Sequence, residues 1–277
     1  TLAESSEEQV MSLWSGLGYY SRARNIHKTA KIILNEYKGQ FPQDFKNLVE
    51  LPGIGPSTAG AILSLAFELP GIILDGNVKR VIARFKGITD PVDNSKTQKE
   101  MKSFAEALLP ENSFREYSQG IMDLGSLLCR PKNPDCDNCP VSKSCQALKL
   151  GIQENIPLKT PSKPKKEKKI DWLLISSNNK ILLKRNDSKG IWKNLWLFPS
   201  KDILSQENVS LLERKESLPE IVHNLSHRKL NISTVKYRIK NKDRLKIDRS
   251  NSVWVSKADS VKMGMPKPIK EIIENYL

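Results

Sequence analysis

The sequence predicts a multi-domain protein, with an all-α first part followed by an α+β second part. Three observations predict this. Apolar residues recur at helical spacing from residue 1 to about 128, with Gly, Pro and Asp breaks between the runs. All four cysteines then fall between Cys129 and Cys145. After a Pro- and Lys-rich stretch the pattern changes to short apolar runs of strand length.

Ala23, Ile26, Ala30, Ile33 and Tyr37 share one helical face. Further helices are expected over roughly 43–50, 57–69, 76–86, 94–108 and 112–128, separated by breaks at 38–42, 52–56, 70–75 and 87–93. This first domain is expected to span 1–150. Residues 151–169, ending in Ile156-Pro-Leu-Lys-Thr-Pro-Ser-Lys-Pro-Lys-Lys-Glu-Lys-Lys169, read as an extended basic linker, because Pro and Lys build no core. The second domain is expected over 170–277. Ile170–Ser176 and Lys180–Lys184, joined by Asn178-Asn179, read as a β-hairpin. Short strands follow near 220–238 and 252–256, then a last helix after Pro268 with Ile269, Ile272, Ile273 and Leu277 on one side.

A chain of 277 residues is long enough for two cores. Its 45 basic and 31 acidic residues give a net charge of +14. Such an excess favours a polyanionic partner, most often nucleic acid; a solvated lysine-rich surface is the plain alternative. No apolar run approaches the roughly 20 residues that cross a bilayer, so no membrane partner is expected. No basic-then-apolar leader follows Thr1, which fits a cytoplasmic setting. The chain is expected to begin inside a longer protein.

The cysteines are spaced C-x6-C-x2-C-x5-C as Cys129, Cys136, Cys139 and Cys145. Four thiolates at that range can close one shell around zinc or around an iron–sulfur cube. A disulfide framework would staple only a small corner of a long chain without a leader.

Leu51-Pro-Gly-Ile-Gly-Pro-Ser-Thr-Ala-Gly60 joins two expected helices. Gly53 and Gly55 are expected to take positive φ and to let another molecule approach the backbone. The next helix starts there, so its free N–H groups offer an anion site suited to phosphate. Gly53, Gly55 and Thr58 are the candidate phosphate contacts; a plain packing loop is the alternative. Downstream lies Leu74-Asp-Gly-Asn-Val-Lys-Arg80. Asp75 there suits a helix cap, and Lys79 and Arg80 read as phosphate-facing or solvated.

This glycine loop, the Asp75 segment and the cysteine cluster together resemble the helix–hairpin–helix DNA glycosylases with an iron–sulfur loop. The resemblance covers the whole first domain and implies a [4Fe-4S] cluster on the cysteines. Members that remove oxidised pyrimidines carry a lysine where this chain has Ser57, and a hydroxyl forms no Schiff base. Trp14-Ser-Gly-Leu-Gly-Tyr-Tyr-Ser-Arg-Ala-Arg-Asn25, with Leu74-Asp-Gly-Asn-Val78, is similar to the adenine DNA glycosylases of the MutY family. That family carries a Nudix-like second domain, and Gly190-Ile-Trp-Lys-Asn-Leu-Trp-Leu-Phe-Pro199 is similar to a segment of it.

The resemblance implies a monomeric, base-flipping enzyme. It would act on double-stranded DNA with adenine opposite 8-oxoguanine or guanine. It implies that Asp75 is the catalytic carboxylate, with Asn77 and Ser57 in the substrate pocket. Leu17 and Tyr19 would insert beside the oxoguanine. Leu225, Ser226 and His227 match the oxoguanine-reading loop, whose first residue in the family is phenylalanine. No Glu-rich Nudix box is present, so the second domain is expected to bind rather than hydrolyse a nucleotide. The family's general-acid glutamate sits in a Glu-Val/Ile-Met-Leu-Gln-Gln-Thr stretch, which this sequence does not contain. Glu4, Glu7 and Glu8 read as solvated helix-start charges. The chain by itself is therefore expected to release little adenine. The cysteine loop is expected to hold Arg130, Lys132 and Lys143 against the DNA backbone. A pyrimidine-damage glycosylase with strand-cutting activity and a non-catalytic mismatch-DNA-binding protein are the rival readings.

Overall fold

The computed structural model describes residues 2–161, 164–188, 190–203 and 205–277. Thr1 and the linker's Ser162 and Lys163 lie outside them. In chain order the helices are α1 (Glu7–Leu13), α2 (Tyr20–Glu36), α3 (Phe45–Glu50), α4 (Pro56–Ala61), α5 (Gly76–Lys86), α6 (Ser95–Ala107), α7 (Phe114–Asp123), α8 (Gln146–Lys149), α9 (Gln206–Leu211), α10 (Lys257–Ser260) and α11 (Lys267–Tyr276). The strands are β1 (Lys166–Ser177), β2 (Lys180–Arg185), β3 (Trp196–Leu197), β4 (Glu213–Ser217), β5 (Ile221–Asn224), β6 (Arg228–Arg238) and β7 (Ser252–Ser256). The chain forms two compact units, Ile32–Ser162 and Thr1–Lys31 with Lys163–Leu277.

The helical unit is punctuated by side-chain caps. Asp44, Asp75 and Asn94 each accept a backbone N–H at the start of α3, α5 and α6. Gly87, with φ +70°, ends α5. One apolar cluster joins Ile33 to Leu48, Leu51, Ala59 and Leu63. A second joins Val78, Ile82 and Ala83 of α5 to Met101 and Ala105 of α6. After α4 the helix widens into a π turn over Ile62–Ala66, where the Ser64 hydroxyl donates to the Gly60 carbonyl at 2.9 Å. Gly60 and Gly71 let two backbones cross in contact. A Cβ on Gly60 would lie 2.0 Å from the Ile72 oxygen, and one on Gly71 would lie 2.2 Å from the Gly60 oxygen. That crossing brings α4 against the segment that leads into Asp75.

The stretch expected as a free linker is tied down at both ends. Ile156 is buried, Val92 N–H donates to the Leu158 carbonyl at 3.0 Å, and Thr160 N–H donates to Asp93 at 2.9 Å. From Lys166 the chain is already strand, because β6 offers a parallel ladder beginning at Lys166 opposite Arg228. The lysines remain exposed, so their charge does not oppose pairing.

In the other unit the described strands form one seven-stranded sheet, ordered β3-β2-β1-β6-β4, with β5 also on β6 and β7 also on β2. The hairpin between β1 and β2 turns at Asn178 (φ 43°) and Asn179 (φ 60°), the paired left-handed geometry expected of that dipeptide. Alternation splits the sheet's side chains. Trp172, Leu174, Leu183, Leu230 and Ile232 pack with Ile269, Ile272 and Ile273 of α11. Leu173, Ile175, Leu182 and Ile239 pack on the other face.

Val10, Met11, Tyr20 and Ala23 join the first of these cores. The boundary therefore differs from the expected 1–150, because α1 and the start of α2 bury their apolar face on the sheet unit. Glu7 accepts from Asn194 Nδ2 at 2.8 Å and Glu8 from Trp196 Nε1 at 3.3 Å, so these two carboxylates are tethers rather than purely solvated charges.

Candidate nucleic-acid interface and metal centre

The hairpin between α3 and α4 presents Gly53, Gly55, Pro56 and Thr58 to solvent. Gly53 takes φ +83°, as expected, and needs glycine for that turn. Gly55 does not: it is the extended N-cap of α4, with φ −89°. Its value lies in open space, since an added Cβ would meet nothing within 4 Å. Pro56 follows at the first helical position, where a missing N–H costs nothing.

Ser57 is half-buried, and its hydroxyl accepts from Leu74 N–H at 3.1 Å. The next residue, Asp75, caps α5: Oδ1 accepts from Val78 N–H at 2.8 Å. Oδ2 is left outside that bond. The Asn77 amide oxygen is held by Arg80 at 2.9 Å.

Arg80 contradicts its expected phosphate-facing or solvated role. It is 8% exposed and donates to the carbonyls of Cys129 and Gly125, each at 2.6 Å. Burial lowers the Arg80 guanidinium from its ordinary value, while negative charge at Cys129 and Asp75 opposes the fall. Gly125 has no side chain for a matching reason, because a Cβ there would meet the Asn77 Cβ at 2.8 Å.

One turn later on α5, Arg84 is 2% exposed. It donates to Ile156 O at 3.0 Å, Arg130 O at 2.7 Å, Pro131 O at 3.3 Å and Cys129 Sγ at 3.3 Å. One guanidinium thus fastens the start of the cysteine loop and the segment that leaves it. Cys129, Cys136, Cys139 and Cys145 all line one cavity, closed by Val81, Leu124, Leu128 and Leu148. Burial pushes the Cys136 and Cys139 thiols up, and the neighbouring cysteines push the same way. Four cysteine sulfurs lining one apolar cavity are a donor set for a cationic centre, whose binding would displace their protons. Among the described residues, no three His, Cys, Asp or Glu side chains converge tightly enough to hold a metal ion.

The sheet unit carries its own cavity, of about 990 Å³. Leu17 and Tyr19 stand at one side, 64% and 70% exposed. Their loop is tied by hydrogen bonds despite its exposure. Gly16, Gly18 and Tyr19 all have positive φ, and Trp14 Nε1 donates to Gly18 O at 2.9 Å. Tyr20 OH accepts from Gly16 N–H at 3.1 Å and donates to Met265 O at 2.7 Å. Leu225, Ser226 and His227 line the same cavity. They form a tight turn in which Leu225 N–H donates to Arg228 O at 2.8 Å. Ser226 and His227 are exposed at its tip, whereas Leu225 leans onto the apolar core.

Residues 1–107 match the family model described as HhH-GPD superfamily base excision DNA repair protein, and residues 171–275 match the NUDIX domain. The adenine DNA glycosylase of Buchnera aphidicola subsp. Schizaphis graminum (strain Sg) is 36% identical over 283 residues, covering 100% of this chain and 82% of the relative. That of Buchnera aphidicola subsp. Acyrthosiphon pisum (strain APS) is 37% identical over 283 residues, covering 100% and 81%. The chain belongs to the adenine DNA glycosylase family. The Homo sapiens adenine DNA glycosylase is 29% identical over 266 residues, covering 79% of this chain and 48% of the relative. Among solved structures, a thermostable thymine-DNA glycosylase aligns with TM-score 0.49 and 28% identity, over 54% of this chain and 69% of that one.

This glycosylase is a DNA-binding enzyme of base excision repair. Among its described residues, no helix is long and apolar enough to cross a membrane. The sequence reading missed Arg84 and misplaced Arg80. Their signal was available: two arginines one turn apart within the largely apolar stretch Val78–Phe85 of a helix. A buried charge of that kind is held by partners or not tolerated.

Proposed function

We propose that this chain hydrolyses the N-glycosidic bond of adenine paired with 8-oxoguanine or guanine in duplex DNA, as a cytoplasmic monomer. The observation that carries the reading is the sheet-unit cavity. It gathers Leu17 and Tyr19 with Leu225, Ser226 and His227, segments about two hundred residues apart in sequence. An exposed apolar tip on a hydrogen-bonded loop suits insertion into a base stack, and the polar turn opposite suits reading the edge of the lesion base.

Adenine must leave the stack before its bond to the sugar can break. As that bond lengthens, positive charge builds on the sugar and electrons move to the base. Asp75 is the anion assigned to that charge. Its Oδ1 is fixed by the helix cap, which leaves Oδ2 to face the sugar. A proton must reach the departing adenine from an acid, and water completes the sugar. Asn77, oriented by Arg80, and Ser57, fastened to Leu74, frame Asp75 from either side in sequence. Gly53, Gly55 and Thr58 offer the backbone and hydroxyl groups for a phosphate.

The four cysteines would hold a [4Fe-4S] cluster, which supplies a structural clasp for the loop carrying Arg130, Lys132 and Lys143. Arg84 binds that loop from inside. Lacking a Glu-rich metal-binding helix, the sheet unit binds the lesion nucleotide rather than cleaving it.

Single-turnover adenine release from duplexes with 8-oxoguanine, guanine or thymine opposite the adenine tests the reading. Release is expected from the first two and not from the third, and it is expected to be slow, because these residues include no Glu-Val/Ile-Met-Leu-Gln-Gln-Thr stretch to supply the acid. Equal release from all three, or trapping of a covalent adduct by borohydride, would count against it.

A further inference from the structure

Resting on the lesion-reading role of the sheet-unit cavity, we propose a phosphate grip at the outer end of the β1–β6 ribbon. Lys166, Lys168 and Arg228 would hold the backbone of the DNA strand that carries the lesion. The parallel register sets Lys166 beside Arg228, Lys168 beside Leu230 and Ile170 beside Ile232. In a sheet such partners share a face. This face begins in the core at Trp172 and Ile170 and continues outward as lysine and arginine. Lys168 and Arg228 line the cavity along with the reading turn. Arg228 also closes that turn through its own carbonyl, so the row of cations starts where the base would be read.

The two faces of the ribbon differ in charge balance. On the opposite face every carboxylate is engaged. Glu167 meets Lys229 at 2.9 Å and Asn231 at 3.1 Å; Asp171 meets Lys201 at 3.2 Å and Ser233 at 2.6 Å. On the cavity face no carboxylate among the described residues pairs with Lys166, Lys168 or Arg228. Both lysines are exposed. Unpaired cations gathered on one face repel one another and favour a polyanion. Lys166 and Lys168 stand roughly 6.6 Å apart along the strand, close to the step between successive phosphates of one nucleic-acid strand. A cavity of about 990 Å³ also exceeds what one base fills, leaving room for the flanking sugar and phosphates.

The test is equilibrium binding against salt concentration, using the full chain and duplexes that pair 8-oxoguanine or guanine with a non-hydrolysable adenine analogue. Lys166→Gln/Lys168→Gln is expected to weaken binding roughly tenfold and to reduce the slope of log K against log salt by about 2; Arg228→Gln should reduce it by about 1. Lys229→Gln, on the paired face and outside the cavity lining, should leave the slope unchanged. Thermal unfolding of each variant checks that folding is intact. Unchanged slopes in folded cavity-face variants overturn the grip, as does an equal fall in the paired-face control. A parent protein that binds both duplexes equally overturns the lesion-strand assignment by way of the cavity reading, whatever the slopes do.

Discussion

The Ser57 hydroxyl accepts a hydrogen bond from Leu74 N–H at 3.1 Å, so the first turn after the hairpin is fastened to the residue preceding Asp75. The element that would meet DNA phosphate and the carboxylate assigned to the sugar are thereby one mechanical piece. Ser57→Ala leaves a part-buried N–H unpaired and should cost about 1 kcal/mol of stability. Its larger effect should fall on adenine release, through looser placement of Asp75, with DNA affinity little changed. Melting temperature, single-turnover rate and affinity separate the two. Ser57→Thr keeps the hydroxyl and should restore the rate; a rate unchanged in Ser57→Ala removes the coupling.

The crossing of Gly60 and Gly71 makes a sharper prediction. Gly60→Ala drives a methyl to within 2.0 Å of the Ile72 carbonyl, a clash that backbone movement alone relieves. Overpacking of that severity should cost at least about 3 kcal/mol. Gly120→Ala is the control. Gly120 lies exposed inside α7, and nothing sits within 4 Å of an added Cβ. That change should stabilise by roughly 0.5–1 kcal/mol, by lowering backbone freedom in the unfolded chain. Urea unfolding of both variants gives the comparison.

Local signals carried the helices and the hairpin. The spacing of Ala23, Ile26, Ala30 and Ile33, the breaks at glycine and proline, and Asn178-Asn179 each act over a few residues, and α2 and the β1–β2 turn follow them. What a window could not show was partnership. Lys166–Lys169 look like a linker until β6 supplies a ladder. Glu213–Ser217 carry no apolar strand signal and form β4 by pairing at the sheet edge, with every side chain exposed. Val10, Met11 and Tyr20 read as part of the helical domain until their core is seen to lie in the sheet unit. In the candidate site the four cysteines, Asp75 and the Leu225–His227 turn stand out in the sequence as local motifs. The roles of Arg80 and Arg84 were not, because a charge reads as solvated until the carbonyls that bury it are known.

Arg84 follows directly. Arg84→Leu fits an apolar helix face but strands the carbonyls of Ile156, Arg130 and Pro131 and the Cys129 sulfur without their donor. Each buried acceptor left unpaired costs about 1 kcal/mol or more, so a loss of at least about 3 kcal/mol is expected. The purified variant should also carry less iron per chain than the parent, measured by metal analysis and visible absorption. Full iron content with an unchanged melting temperature would show that the loop holds itself.

His223 gives the pH dependence. Burial lowers its pKa from the ordinary value; Lys267 acts in the same direction and Glu271 against it. The ring lies 5.9 Å from that of Trp192, on the wall of the sheet-unit cavity. The folded protein therefore favours neutral imidazole, and between the two pKa values the unfolded chain binds more protons. Stability that depends on the neutral ring is fully present above the unfolded pKa of about 6.5, and it is lost as pH falls through the lower folded value. Urea midpoints of the parent should drop between pH 7.5 and pH 5 by more than those of His223→Gln, which has no proton to gain. Parallel curves for the two proteins would place the acid sensitivity elsewhere. An NMR titration of the ring should show its midpoint below the ordinary histidine value of about 6.5.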